Sequence, residues 1–191
     1  MKGMRVEVLF EGMIRKAGGF VVEAHSSSTL IYNDEIRAIV DTSSSAYREK
    51  LLTSLRNLDI GCDEIDVVVA THLHYDHIGN NDLFAQARFI AHVNEYPPEH
   101  YVKISSDVDL FEGVRIVHTP GHTRGSISVF VESESRVAIV GDALPTKDNY
   151  VKWLPPGIHY DASEALKSMK RIVTFADLVI PGHDRPFKIN R

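Results

Sequence analysis

Apolar residues fall along the chain in short blocks separated by turn-forming residues, a spacing that predicts many strands and few helices. Strand-like segments occupy 4–11, 19–24, 28–32, 36–40, 66–70, 88–92, 107–111, 114–118, 126–131, 136–140, 177–180 and 185–189. Helical spacing is confined to three stretches. In 46–58, Leu51, Leu52, Leu55 and Leu58 recur every three or four positions; 77–84 is short; 162–174 carries Leu166, Met169, Ile172 and Val173 on its inner face. This last helix opens with Asp161 and Glu164 at capping-box spacing. No repeat, low-complexity tract or linker divides the pattern, so residues 1–191 read as a single domain, and 191 residues suffice for one well-buried core.

One segment departs from this pattern. Residues 71–77 read Thr-His-Leu-His-Tyr-Asp-His, directly after the apolar, β-branched run Asp66-Val67-Val68-Val69-Ala70. His72 and His74 therefore sit just past the end of a buried strand. In extended backbone, residues two apart project to the same side, so His72, His74 and Asp76 are expected to converge on one point. Leu73 and Tyr75 then face away, with Tyr75 packing toward the core. A bend into helix near residues 78–82 would swing His77 toward a second point close by, which implies two metal ions rather than one.

Three further strands end in glycine-assisted turns that deliver ligand-type residues. His122 follows Thr119-Pro120-Gly121, Asp142 follows the run ending in Gly141, and His183 follows Pro181-Gly182. Glycine permits tight or left-handed turns beside crowded side chains. Imidazole and carboxylate donors without a thiolate suit zinc and are compatible with iron or manganese.

Taken together, Thr71-His-Leu-His-Tyr-Asp-His-Ile-Gly79, Thr119-Pro-Gly-His-Thr123, Gly141-Asp142 and Pro181-Gly-His183 resemble, in order, the motifs of the metallo-β-lactamase-fold hydrolase superfamily. The resemblance covers nearly the whole chain. It implies an α/β fold in which two mixed sheets pack face to face between helices, a four-layer αββα sandwich with the site on strand-end loops at one edge. It also implies one metal held by His72, His74 and His122, a second by Asp76, His77 and His183, and Asp142 bridging them. Asp41, after the strand 36–40, matches the family's early aspartate beside the site. His118, four residues before His122, is read as a supporting or structural neighbour. His25, His92, His100 and His159 match no metal motif.

Two metals about 3.5–4 Å apart can share a water, lower its pKa toward neutrality and present hydroxide to an electrophilic centre. Asp76 is expected to orient that hydroxide as well as to bind metal. The leading expectation is thus a hydrolase with two zinc ions per chain acting on a small ester, thioester, lactone or related bond. Two alternatives stand beside it: an oxidoreductase resembling persulfide dioxygenases with one iron, and a phosphodiesterase or nuclease without the usual inserted domain.

Composition narrows the partners. The formal net charge of -5 and the lack of a basic run argue against a broad nucleic-acid footprint. About forty residues separate Asp142 from His183, too few for the insert that nucleic-acid-cleaving family members usually carry. Only eight residues follow His183, and Asp142 stands where zinc β-lactamases commonly have cysteine, so glutathione thioesters and lactams are not favoured. The lone cysteine, Cys62, reads as a structural thiol. The N-terminal segment reads as a strand, and neither a signal peptide nor a membrane span is expected, which points to a cytoplasmic enzyme for a small-molecule substrate, compatible with a homo-oligomer. The irregular segment 143–160 is expected to form a wall or lid of the pocket, with Tyr150, Trp153, His159 and Tyr160 as candidate contacts.

Overall fold

In the central strands, alternate side chains enter different cores, and this alternation builds the layers of the molecule. The computed structural model describes residues 3–190. In chain order they form β1 (Arg5–Phe10), β2 (Met13–Ala17), β3 (Phe20–His25), β4 (Ser28–Tyr32), β5 (Arg37–Val40), α1 (Arg48–Arg56), β6 (Val67–Val69), α2 (Tyr75–Ile78) and β7 (Arg88–His92). There follow β8 (Val102–Ile104), β9 (Val108–Phe111), β10 (Val114–His118), β11 (Ile127–Glu132), β12 (Arg136–Gly141), α3 (Lys147–Lys152), α4 (Ala162–Phe175), β13 (Leu178–Pro181) and β14 (Phe187–Lys188).

Two six-stranded mixed sheets result, ordered β1-β4-β5-β6-β7-β8 and β14-β13-β12-β11-β10-β9, with β2 and β3 forming a separate ribbon. Parallel pairing joins β5 to β6, β6 to β7 and β7 to β8 in the first sheet, and β12 to β13 in the second. Ala38, Val40, Val67 and Val69 of the first sheet meet Ile116, Val129, Val137 and Ile139 of the second in a shared core. The intervening residues face outward. Ile39 and Val68 pack under Leu51 and Leu55 of α1, while Ala138 and Val140 pack under Met169 and Ile172 of α4. This is the αββα sandwich: strands buried on both faces, as their unbroken apolar runs require.

The pattern of strands expected from the sequence is largely present, with informative differences. The ribbon strand β2 and the edge strand β8 were not legible, because neither has an apolar run long enough to mark it. The stretch expected as one helix over 77–84 is instead the single turn α2 followed by a 3-10 turn at Asn81–Leu83. Gly79 N–H donates to the Ser43 carbonyl and Asn80 N–H to Thr42 Oγ1, so outside acceptors interrupt the helix. Among the described residues, no helix is long and apolar enough to cross a membrane.

Helix α4 also anchors the loop after β10. The backbone N–H groups of Tyr160 and Asp161 donate to the Gly121 carbonyl, and Ser168 Oγ donates to the Pro120 carbonyl at 2.7 Å. The expected capping box is half formed. Asp161 accepts from Glu164 N–H at 2.9 Å, but the Asp161 N–H is committed to Gly121 and the Glu164 carboxylate pairs with Lys167 instead. Removing the remaining cap by Asp161→Ala is expected to cost about 1 kcal/mol. For a domain of this size that is a fall of roughly 2–4 °C in unfolding temperature, measurable by calorimetry.

Candidate metal centre

The connection after β6 bends at Thr71 and His72 and carries His74 in extended backbone (φ -67, ψ 141) at the N-cap of α2. Because α2 begins at Tyr75, the alternation expected through residue 76 stops one residue early. His72 and His74 meet His122, whereas Asp76 and His77 turn to meet His183. Asp76 therefore does not converge with His72 and His74. Tyr75 is corrected too: it lies on the outer side of the first helical turn and is 81% exposed rather than packed in the core.

The ligand-type atoms within each of these two groups lie within 4.8 Å of one another, and a third such group joins His72, His77 and Asp142. Asp142 stands between the two triads. Its Oδ1 lies 3.1 Å from His183 Nε2 and 3.4 Å from His77 Nε2, and its Oδ2 lies 3.5 Å from His122 Nε2. Asp76 Oδ2 is 3.6 Å from His183 Nε2, and His74 Nδ1 is 3.1 Å from His122 Nε2.

Hydrogen bonds behind the cluster fix which ring nitrogen faces it. His77 Nδ1–H donates to Asp41 Oδ2 at 2.7 Å, His122 Nδ1–H to the Ile158 carbonyl at 2.7 Å, and His183 Nδ1–H to the His25 carbonyl at 3.0 Å. The carbonyls can only accept, and Asp41 already accepts from Thr71 at both oxygens, so each imidazole directs its Nδ1–H outward and turns Nε2 toward the cluster. Thr71 Oγ1 donates to Asp41 Oδ2 at 2.7 Å, and His72 Nδ1 lies 3.2 Å from the same hydroxyl. Asp41 also accepts from Thr71 N–H at 2.8 Å. It holds these contacts from a left-handed backbone (φ 57), a conformation that costs a non-glycine residue about 1–3 kcal/mol and persists only where surrounding bonds hold it.

Glycines let the strand ends approach. Gly121 and Gly141 take positive φ, and a methyl group at Gly182 would overlap Asp142 Oδ1 and the Gly141 backbone.

The electrostatics of the cluster ask for a cation. His72 Nε2, His77 Nε2 and Asp142 Oδ1 are buried without a hydrogen-bond partner, which for polar atoms is costly. Burial pushes His72 well below the ordinary histidine value and His74 below it, helped by neighbouring imidazoles. Burial also opposes charge on His77 and His183, but the carboxylates beside them, Asp41 and Asp142 for His77 and Asp142 for His183, outweigh it and raise both. Asp142 shows the converse: burial would raise it, and His183 and His77 hold it well below the usual carboxylate range. The raised His77 and His183 thus favour protons where this oxygen and nitrogen donor set would otherwise take positive charge from metal. The donor set fits zinc.

The remaining expected residues lie around the cluster. Asp41 supports His77 as described. His118 does not reach the cluster; it stacks on His92 with ring centroids 4.0 Å apart, and its Nε2–H donates to the Arg124 carbonyl at 3.0 Å. Tyr150 stacks on Phe187, His159 Nδ1–H donates to the Pro156 carbonyl, and Trp153 and Tyr160 are exposed. The segment 143–160 approaches the centre through the Ile158 carbonyl on His122. Burial pushes the Cys62 thiol up, away from nucleophile behaviour.

A cavity of about 750 Å³ opens beside His183, with Phe10, Met13, Tyr47, Lys50, Thr146 and Arg185 in its wall. This wall was not legible in the sequence, since most of it comes from β1, β2, the connection between them, and the start of α1 with the preceding Tyr47, which carry no motif. The carbonyls of His25 and Ile158 were equally hidden, because a backbone acceptor leaves no residue-type signal. Thr71, in contrast, stands inside the histidine motif.

The shifts on His77 and His183 give a pH dependence. A histidine raised in the folded state adds stability that is fully present below its unfolded value near 6.5 and is lost as pH rises through the raised value. Metal-free protein, kept so by chelator, is therefore expected to unfold at progressively lower temperature as pH is raised from neutral into the alkaline range. A melting temperature that climbed over that range would contradict the proton-for-metal exchange.

Comparison with known proteins is consistent with this arrangement. A family model described as the metallo-beta-lactamase superfamily matches residues 21–103 and 102–183. The chain is 39% identical over 180 residues to a protein of Methanocaldococcus jannaschii named as a metallo-hydrolase, covering 94% of this chain and 86% of that one. It is 29% identical to an N-acyl homoserine lactonase of Bacillus thuringiensis, over 71% of this chain and 62% of the lactonase. Among solved structures, a metallo-beta-lactamase-type protein of Thermotoga maritima superposes with a TM-score of 0.80 at 26% identity, covering 97% of this chain and 99% of that one. The chain belongs to the metallo-beta-lactamase superfamily.

Proposed function

We propose that the protein is a hydrolase that cleaves a small ester, thioester, lactone or related bond at a centre of two zinc ions. The observation that carries this reading is the position of Asp142, whose two carboxylate oxygens face different histidine groups. In it, His72, His74 and His122 would hold one ion and Asp76, His77 and His183 the other, with Asp142 placed to serve both. When bound, such ions polarise the attacked oxygen and bring the pKa of water toward neutrality.

The chain's own groups do the rest. Asp76, half-buried at the rim of the cluster, would orient the attacking water, take its proton and return it to the leaving alcohol or thiol. Asp41 and the His25 and Ile158 carbonyls keep the imidazoles oriented so that no reorganisation is needed during turnover. The cavity beside His183 receives the substrate, and its apolar and cationic side chains suit a small organic acyl compound. The lactonase relative supports an ester-like bond, and the net charge of -5 disfavours a polyanionic one.

Elemental analysis is expected to find two zinc ions per chain. Asp142→Ala should lower metal occupancy and turnover together; full metal and full rate in that variant would remove the bridging role. Asp76→Ala should lower kcat by roughly 10²–10⁴-fold while changing KM far less. Turnover of thioesters, lactones or esters is expected to exceed that of bis(p-nitrophenyl) phosphate, and the opposite ranking would overturn the proposed substrate class.

A further inference from the structure

His72 and His74 stand on the connection after β6, and the third member of their group, His122, stands on the loop after β10, in the other sheet. Their mutual geometry depends on how two loops from opposite sheets are held together. One backbone hydrogen bond, Ile127 N–H to the Thr71 carbonyl at 2.8 Å, joins them at the base. Nearer the histidines, a single side chain from a third segment spans both loops.

That side chain is Glu95, at the end of the 3-10 turn Val93–Glu95 that follows β7. Its Oε2 accepts from Leu73 N–H at 3.1 Å, the peptide between His72 and His74. Its Oε1 accepts from Thr123 Oγ1 at 2.5 Å and from Gly125 N–H at 3.0 Å, on the loop of His122. The approach is close: a methyl group at Gly125 would lie 2.7 Å from Glu95 N and 2.8 Å from Oε1. Glu95 is itself held. His92 Nδ1 caps its turn by accepting from Asn94 N–H at 3.2 Å, and His92 stacks on His118, which reaches the same loop at Arg124.

We infer that Glu95 is a positioning residue for the triad His72, His74 and His122, setting the metal affinity and coordination geometry of that triad without touching the ion. The inference rests on the proposed metal centre. Three donors converge on one carboxylate, and an ionised carboxylate is an acceptor at both oxygens. A glutamine of the same shape would turn an NH2 group against Leu73 N–H or against the Thr123 and Gly125 donors. One loop would then lose its tie, and the spacing of His74 Nδ1 and His122 Nε2, 3.1 Å, would no longer be fixed from outside.

The test compares wild type with Glu95→Gln, Glu95→Ala and Thr123→Val, which removes the hydroxyl and with it the contacts to Glu95 and Ser126. Zinc affinity is measured by competition with a chromophoric chelator, coordination by the visible spectrum of the cobalt(II)-loaded protein, and folding by thermal unfolding of metal-free protein. The two Glu95 variants are expected to bind one of the two metals about 10–100-fold more weakly, with the other unchanged and an altered cobalt spectrum. Thr123→Val should shift in the same direction by less. If Glu95→Ala fails to fold, Glu95→Gln and Thr123→Val decide. Lower unfolding temperatures with unchanged affinities and spectrum would make Glu95 merely structural and overturn the inference alone. A wild-type protein that binds no metal would overturn the proposed function and this inference with it.

Discussion

His72 and His77 are completely buried, and His72 Nε2, His77 Nε2 and Asp142 Oδ1 crowd together without completing a hydrogen bond. Burying polar atoms in this way is tolerated only when something supplies the missing charge, because the desolvation cost is otherwise several kcal/mol for an ionised group. The raised His77 and His183 and the lowered Asp142 express that need, with protons in the role of the cation. A loaded centre would reverse the arrangement: imidazoles that carry Nδ1 protons bonded outward offer neutral Nε2 lone pairs inward. The outward bonds are therefore as much a part of the site as the residues that face its centre.

Holding such a cluster at one edge of the molecule falls to the sandwich. Four strand ends supply the inward-facing groups, and each strand is buried on both faces, between the shared core and an outer helical layer. The turns are in turn secured from several directions: Asp41 from the end of β5, the Ile158 carbonyl from beyond α3, the His25 carbonyl from the end of β3, and Glu95 from the end of β7. Local strain at Asp41 and close packing at Gly182 persist because this surrounding framework over-determines the backbone there.

How far the sequence reveals this depends on which kind of signal each part leaves. Long apolar runs such as Val67-Val68-Val69 marked the buried strands, and unusual concentrations of histidine and aspartate marked the residues that the structure brings together. The direction of Tyr75 was misread because strand alternation was extended across a position where helix begins, and nothing in Leu73-His74-Tyr75 announces the change. Short edge and ribbon strands leave weak patterns, and α3 spans only six residues with no apolar periodicity. Backbone carbonyls leave none. Glu95 illustrates the hardest class, an ordinary glutamate in an ordinary loop whose importance comes only from three donors that sequence separates by up to 52 positions (73 to 125).

The facing histidines and aspartates and the cavity wall accordingly come from different parts of the chain. The facing histidines and aspartates come from strand ends that the core fixes, whereas the cavity wall draws on the β1–β2 connection, α1 and the loop after His183. On the side of His122, the segment carrying Trp153, Leu154, Ile158 and Tyr160 leaves large apolar side chains exposed, as does the β2–β3 ribbon at Phe20 and Val22. Lys16 of that ribbon comes within 3.7 Å of the space beside Gly157, so the two exposed segments are neighbours. Neither carries weight for the sandwich core, since none of these side chains belongs to the clusters that unite the sheets. The side chains of Trp153, Leu154, Phe20 and Val22 also lie outside the wall of the cavity beside His183, so they are free to vary without disturbing the facing histidines and aspartates. The same separation explains why the histidine motif reveals the chemistry of the site and is silent about its substrate.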